Sequence, residues 1–167
     1  MKRYVSIVLS AALLLALFCT LSGCARKEPD DAYIARQLGL ELPAYTLFSF
    51  ARDHAGDDDE GFVYGEMTFS EEAGGQLYDK MLSTDTWQVL PLPEKLSLMV
   101  YGGSSDGTVY SSYADNMIPE VEHGCYFYKD RSTAGEISKS RERFSNDFII
   151  AIYDSENCAL YYYELAK

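Results

Sequence analysis

Positive charge is scarce in this sequence. The 167 residues include 14 lysines and arginines against 26 aspartates and glutamates, for a formal net charge of −12. An excess of negative charge repels phosphate backbones and disfavours a broad contact with anionic lipid. The composition therefore argues against nucleic acid as a partner.

Recognisable catalytic motifs are also lacking. The chain has no Gly-x-Ser-x-Gly, Ser-x-x-Lys or His-Glu-x-x-His sequence, and Gly102–Gly107 lacks the lysine and the spacing of a phosphate-binding loop. The two histidines, His54 and His123, show no spacing that indicates a zinc site. We therefore expect no cofactor, no catalytic residue and no bound metal.

The hydrophobic stretch at the start of the chain is too short to cross a membrane. Lys2 and Arg3 precede a mainly apolar run from Val5 to Phe18. This run is shorter than the ~20 residues that a spanning helix needs. A basic start, a short apolar segment and small residues before a cleavage point are typical of a secretory signal.

The sequence Leu21-Ser22-Gly23-Cys24 follows this run and closely resembles a bacterial lipobox. The resemblance implies that residues 1–23 are a lipoprotein signal peptide and that the Cys24 thiol receives a diacylglycerol. It also implies that Cys24 becomes the first mature residue, at the outer face of the cell membrane. Two acyl chains such as palmitate hold a protein stably on a membrane, whereas one chain binds only marginally.

The mature part is expected to be a short tether followed by one domain. Residues 24–31 are polar, contain Pro29, and reach roughly 25 Å when extended. Residues 32–167 are enough for a single domain with a hydrophobic core. The domain should therefore stay close to the membrane surface.

Hydrophobic patterning predicts an α+β domain. Strands are expected at Tyr45–Arg52, Phe62–Phe69, Gly124–Asp130, Asp147–Tyr153 and Cys158–Leu165, with one short edge strand at Thr108–Tyr110. Short helices are expected at Ala32–Leu38, after Ser70, and at Glu94–Tyr101. The prediction is a single antiparallel sheet of about five strands with two or three short helices on one face.

Cys125 and Cys158 allow two interpretations. An exported compartment permits a disulfide between them. If the last three strands form a meander, however, the two cysteines flank its central strand and lie roughly 9–10 Å apart at ~4.8 Å per strand. A disulfide needs Cα atoms within ~7 Å. We favour free thiols, with the disulfide possible only if the last strand pairs with Gly124–Asp130.

The loop Asp53–Gly61 is strongly acidic and contains His54. Calcium favours several oxygen ligands from one such loop. No register of the loop fits the calcium-loop pattern, however. We favour a solvated hairpin tip over a cation site.

One segment concentrates positive charge. Five of the twelve mature cations lie within fifteen residues, on a long loop between two predicted strands: Lys129, Arg131, Lys139, Arg141 and Arg143. Long ordered loops are often functional. The segment either contacts an anionic ligand, lipid head group or acidic protein partner, or it pairs with the protein's own carboxylates.

These observations leave two hypotheses for the function. The mature part is similar to small lipoproteins of Gram-positive bacteria that have a Gly- and Asp-rich hairpin loop and a Leu-Tyr-Tyr-Tyr-Glu-Leu ending, a resemblance that implies no activity. The leading hypothesis is a lipid-anchored, non-enzymatic binding module. The alternative is a small hydrolase or metal-dependent enzyme that uses His54, the acidic loop and Cys125 or His123, which requires these side chains to meet in one pocket.

Overall fold

The computed structural model describes residues 28–54, 61–114, 116–132 and 146–166. The helices in these ranges are α1 (Asp30–Leu38), α2 (Glu71–Leu82) and α3 (Glu94–Tyr101). The strands are β1 (Tyr45–His54), β2 (Gly61–Phe69), β3 (Trp87–Val89), β4 (Gly103–Ser105), β5 (Thr108–Tyr110), β6 (Gly124–Asp130), β7 (Phe148–Asp154) and β8 (Ala159–Ala166). None of the helices described is long and apolar enough to cross a membrane.

Six of the strands form one antiparallel sheet in the order β1-β2-β8-β7-β6-β3. The last three strands make the expected meander, with Phe148 opposite Leu165 and Asp154 opposite Ala159. The turn between β7 and β8 is closed by the Asp154 side chain, which accepts hydrogen bonds from the backbone N–H groups of Glu156 and Asn157 at 2.9 and 3.0 Å. The α+β class and the antiparallel sheet are as predicted.

The strand count is higher than the predicted five. The sheet gains β3 at its edge, and β4 pairs with the predicted short strand β5 in a separate two-stranded sheet. Both missed strands are three residues long. Three residues are too few to show the alternation on which a strand prediction depends.

The prediction that the helices lie on one face of the sheet was wrong. The β7 side chains alternate between two hydrophobic clusters. Ile149, Ala151 and Tyr153 join the cluster that contains Ile34 of α1 and Leu77 and Met81 of α2. Phe148, Ile150 and Ile152 join the cluster that contains Met99 and Val100 of α3. The chain passes from one face to the other by way of the edge strand β3, so both apolar faces of the central strand are covered.

The helix ends largely follow the local sequence signals. The Ser70 hydroxyl accepts a hydrogen bond from the Ala73 N–H at 3.3 Å, as expected of an N-cap. Gly39 ends α1 with φ of 65°, a left-handed conformation that glycine adopts without steric cost. The N-cap of α1 is Pro29, and the helix begins at Asp30, two residues earlier than the predicted Ala32.

The meander also decides between the two interpretations of the cysteines. Cys125 lies on β6, Cys158 lies in the turn before β8, and β7 runs between the two strands. Both cysteines are free thiols. Free thiols are therefore confirmed, as the spacing of the strands predicted.

Candidate functional site at the loop end of the sheet

The acidic and the basic segments are attached to the same end of the sheet. β1 ends at His54, β2 begins at Gly61, and Gly61 is opposite Ala166 on β8. On the other side of β8, Leu165 is opposite Phe148, the first residue of β7. Only one strand therefore separates the base of the acidic loop from the base of the basic loop, which is about 10 Å. We call this end of the strands the loop end.

The structure describes two of the five predicted contact residues. Lys129 is exposed on β6, and Arg131 directly follows that strand and is half-buried. Lys139, Arg141 and Arg143 lie outside the described residues, as do the predicted lipidation residue Cys24 and residues 55–60 of the acidic loop. A role for these residues stays a prediction.

Arg131 is held by groups of its own chain. Its Nε donates to Asp147 Oδ1 at 2.7 Å, its Nη1 to Glu164 Oε1 at 2.5 Å, and its Nη2 to the Leu165 carbonyl at 3.1 Å. The Arg131 backbone N–H also donates to the Asp147 carbonyl at 2.8 Å. All three guanidinium nitrogens are thus engaged, and Arg131 joins the two ends of the β6–β7 connection instead of facing a ligand.

Glu164 is the buried centre of this arrangement. Its side chain is 7% exposed, and its Oε2 accepts hydrogen bonds from the hydroxyls of Tyr33 at 2.7 Å and Tyr162 at 2.5 Å. Burial by itself raises the pKa of this carboxyl group. The hydrogen bonds from Tyr162, Tyr33 and Arg131 and the charge of Arg131 outweigh burial, so the pKa of Glu164 is lowered overall. The carboxylate is therefore ionised at neutral pH, and both of its oxygens accept hydrogen bonds.

Two further arginines surround Tyr33. The guanidinium carbons of Arg36 and Arg52 lie 5.2 and 5.0 Å from the centre of the Tyr33 ring. Arg52 also lies 5.3 Å from the centre of the Phe50 ring. These distances are in the range of cation–π attraction. The stack fixes α1 against β1 next to the buried carboxylate.

We call Tyr33, Arg131, Asp147, Tyr162 and Glu164 the Glu164 cluster. Each oxygen of Glu164 already has at least one donor, and the charge of Glu164 is neutralised by Arg131. An ionised carboxylate with satisfied partners is poorly suited to accept a proton from a substrate. The cluster therefore has a structural role, because it holds together α1, β8 and both ends of the β6–β7 connection.

The two histidines do not share a site. His54 ends β1 at the loop end, whereas His123 precedes Gly124, which is opposite Asp154 at the other end of the sheet. A seven-residue strand such as β6 separates these ends by about 20 Å. The His123 side chain is 63% exposed, and its Nε2 lies 3.8 Å from Glu156 Oε1. The alternative in which both histidines form one catalytic or zinc site is thereby excluded.

Cys125 is unsuited to nucleophilic catalysis. It is fully buried beneath α2, with its Sγ 3.7 Å from Met81 Sδ. Burial raises the pKa of the Cys125 thiol to about 12. Because His123 is exposed and Cys125 is buried, these two residues do not form a catalytic pair. No group of three or more metal-ligating side chains occurs among the residues that the structure describes.

The sequence analysis missed the Glu164 cluster. The available signal was a single carboxylate inside the apolar run Leu-Tyr-Tyr-Tyr-Glu-Leu, because a buried charge in a central strand needs a partner. Its partners Tyr33 and Arg131 are 131 and 33 residues away in the chain. Sequence spacing alone could not have identified them.

Comparison with known proteins adds no assignment to this geometry. No family model matches the chain, and neither the curated proteins nor the solved structures contain a match.

Proposed function

We propose that this protein is a lipid-anchored, extracytoplasmic binding module that is held on the outer face of the cell membrane by a diacylglycerol on Cys24. The observation that carries the anchoring is the sequence Leu21-Ser22-Gly23-Cys24 after a short apolar run. The first helix of the domain begins at Asp30. The five residues between Cys24 and this helix span at most about 18 Å. The domain is thus kept close to the bilayer.

The basic loop is the proposed contact surface. It belongs to a mature chain of net charge −14, in which twelve cations face 26 carboxylates. The Arg131 clamp fixes both ends of the β6–β7 connection, so that the connection emerges at a defined place on the domain. Lys129 is exposed beside this clamp. An anionic ligand or an acidic protein partner is the complementary chemistry.

The described residues do not favour the enzymatic alternative. His54 and His123 lie at opposite ends of the sheet, Cys125 is buried with a raised thiol pKa, and Glu164 is occupied by internal donors. No other described feature favours a hydrolase or a metal-dependent enzyme. We therefore propose the binding function alone.

Capture from membranes tests the contact surface. The tagged protein is isolated from detergent-solubilised membranes, and a variant carries Lys129→Gln, Lys139→Gln, Arg141→Gln and Arg143→Gln. Arg131 is left intact because its loss would disturb the fold. We expect a co-purifying partner or anionic ligand with the natural sequence and at least about a tenfold reduction with the variant, a loss of roughly 1.4 kcal/mol in binding.

A matched control has the same change in charge at other positions. Lys27, Lys80, Lys95 and Lys167 are changed to glutamine together, and this variant should retain the partner. Equal loss in both variants would show that only net charge matters. The same partner at full strength with the loop variant would contradict the proposed contact surface.

A further inference from the structure

The edge strand β1 is a second surface that the proposed basic contact does not use. It runs for ten residues and, among the strands that the structure describes, pairs only with β2, at one edge of the six-stranded sheet. Within the described ranges, no backbone group on its outer side is hydrogen-bonded to another segment. An uncovered edge of this kind presents a row of N–H and C=O groups that another strand can pair with.

The two edges of the sheet differ in their protection. The opposite edge strand, β3, has only three residues. β1 contains no proline or lysine, and its one register irregularity lies near its start, between Tyr45 and Leu47. The Arg52 guanidinium contacts the rings of Tyr33 and Phe50. Folded proteins commonly protect long edge strands with lysine, proline or bulges. Beyond Leu47, β1 has none of these features, so its outer edge is open to pairing with another strand.

The carboxylates near β1 favour a positively charged partner. Asp53 is exposed near the end of β1, and Asp31 accepts a hydrogen bond from the Tyr45 hydroxyl at 3.2 Å near its start. Glu66 on β2 is directly opposite Ser49 in the middle of β1. A second copy of this acidic chain would bring like charges together. A lysine- or arginine-containing segment would have a carboxylate near each end of β1 and a third on the neighbouring strand β2.

We propose that β1 binds an extended cationic peptide segment of a partner protein by strand addition. Backbone hydrogen bonds to β1 supply the affinity, and the carboxylates at Asp31, Asp53 and Glu66 select for basic side chains. Exposed Leu47, at 55% exposure, offers an apolar contact on one face of the added strand. The inference deepens the proposed binding function, on which it rests, but uses a surface separate from the basic loop.

Hydrogen–deuterium exchange of the full lipidated protein in detergent tests this surface directly. The probe is a ten-residue peptide of alternating lysine and valine, and the comparison peptide alternates glutamate and valine. With the lysine peptide, we expect amides of β1 to exchange about tenfold more slowly, because they gain hydrogen bonds. Absence of slowing in β1, or equal slowing with the glutamate peptide, would overturn the proposal. If exchange of the β1 amides slowed without peptide as the protein concentration rose, the occupant would be a second copy of the chain. This result would also overturn the proposal.

Paired variants separate binding at the edge from general effects of charge. Leu47→Lys with Ala51→Lys places two cations on exposed positions of β1, and we expect at least about a tenfold weaker effect of the lysine peptide. Val89→Lys with Val109→Lys adds the same charge at residues that are 61% and 82% exposed, and should leave the effect unchanged. Unaltered exchange in β7 and β8 verifies the fold in both. Equal behaviour of the two variants would refute the assignment to β1. The basic loop is unchanged in all of these variants. A negative result in this experiment would therefore not affect the membrane-capture test of the basic loop.

Discussion

At the scale of single residues, Glu164 is the most constrained side chain at the loop end. It is a charge in a strand whose other side chains are almost all apolar and buried. Burying a carboxylate is costly unless it is paired and hydrogen-bonded. Tyr33, Tyr162 and Arg131 together meet that requirement and connect elements from the start, the middle and the end of the chain.

We predict that Glu164→Gln lowers the free energy of unfolding by about 2–3 kcal/mol at neutral pH. The neutral amide leaves the half-buried Arg131 without its closest charge partner, and hydrogen bonds to charged groups contribute about 1.5–3 kcal/mol. Urea unfolding monitored by circular dichroism measures the change. Glu156→Gln serves as the control because the Glu156 side chain is 68% exposed, and it should change stability by less than about 0.5 kcal/mol. An equally small effect at Glu164 would show that the cluster does not stabilise the fold.

Acid should remove this contribution in the natural protein. The pKa of Glu164 is lowered in the folded state from the ordinary value of 4.5, so the unfolded chain takes up the proton first as pH falls. The stabilisation is complete above about pH 4.5 and is lost as pH falls through the folded-state pKa. The difference between the natural protein and Glu164→Gln should therefore narrow below this pH. A difference that stays constant to pH 3 would contradict the assigned ionisation.

The sequence could predict that Glu164 needs an internal partner, but it could not predict which residues provide it. A glutamate among Leu, Tyr and Ala residues of a strand indicates an internal ion pair or hydrogen bond. Which of the distant tyrosines and arginines provides it depends on where α1 packs. The basic segment shows the same limit, because Arg131 and Lys129 are alike in sequence, yet Arg131 is bound internally and Lys129 is exposed.

At the scale of elements, adjacent glycines in α2 have different roles. A side chain at Gly74 would bring its Cβ within 2.6 Å of the Tyr153 hydroxyl and 2.8 Å of Cys158 Cβ, whereas a Cβ at Gly75 meets nothing within 4 Å. Gly74 therefore permits the close approach of α2 to the β7–β8 hairpin. The sequence alone showed only that both glycines weaken the helix.

We predict opposite effects of alanine at these two positions. Gly75→Ala should raise the free energy of unfolding by up to about 1 kcal/mol, because alanine favours a helix more than glycine does. Gly74→Ala should lower it by about 1–3 kcal/mol, because the contact forces α2 away from the sheet. Thermal unfolding of the two single variants makes the comparison. Stabilisation by both would mean that α2 does not pack this closely.

Long elements were more predictable than their arrangement. The bounds of α3 and β6 agree with the sequence prediction, and the meander followed from three patterned segments joined by short or polar connections. The side on which each helix packs was not predictable from periodicity, because an amphipathic helix fits either face of a sheet that is apolar on both. The segment Phe148–Ile152 is apolar on both faces of its strand. This was the one sequence feature indicating that other elements must pack on both faces of the sheet.

At the scale of the whole molecule, two segments of opposite charge have neighbouring attachment points on the sheet. The acidic segment from Asp53 and the basic segment from Lys129 are both attached at the loop end, with only β8 between their nearest anchoring strands. Both interpretations of the basic loop stay predictions, because Lys139, Arg141 and Arg143 lie outside the described residues. The Arg131 pairing shows that internal carboxylates already engage one of the five cations.

We propose above that lipid is attached at Cys24, and metabolic labelling with a radioactive fatty acid tests this attachment. Cells producing the natural protein, Cys24→Ala or Cys19→Ala are labelled, and the protein is immunoprecipitated from the membrane fraction. We expect label on the natural protein and on Cys19→Ala, since Cys19 belongs to the proposed signal peptide, and none on Cys24→Ala, which should stay uncleaved or be released. Label that persists on Cys24→Ala, or is missing from the natural protein, would contradict the account.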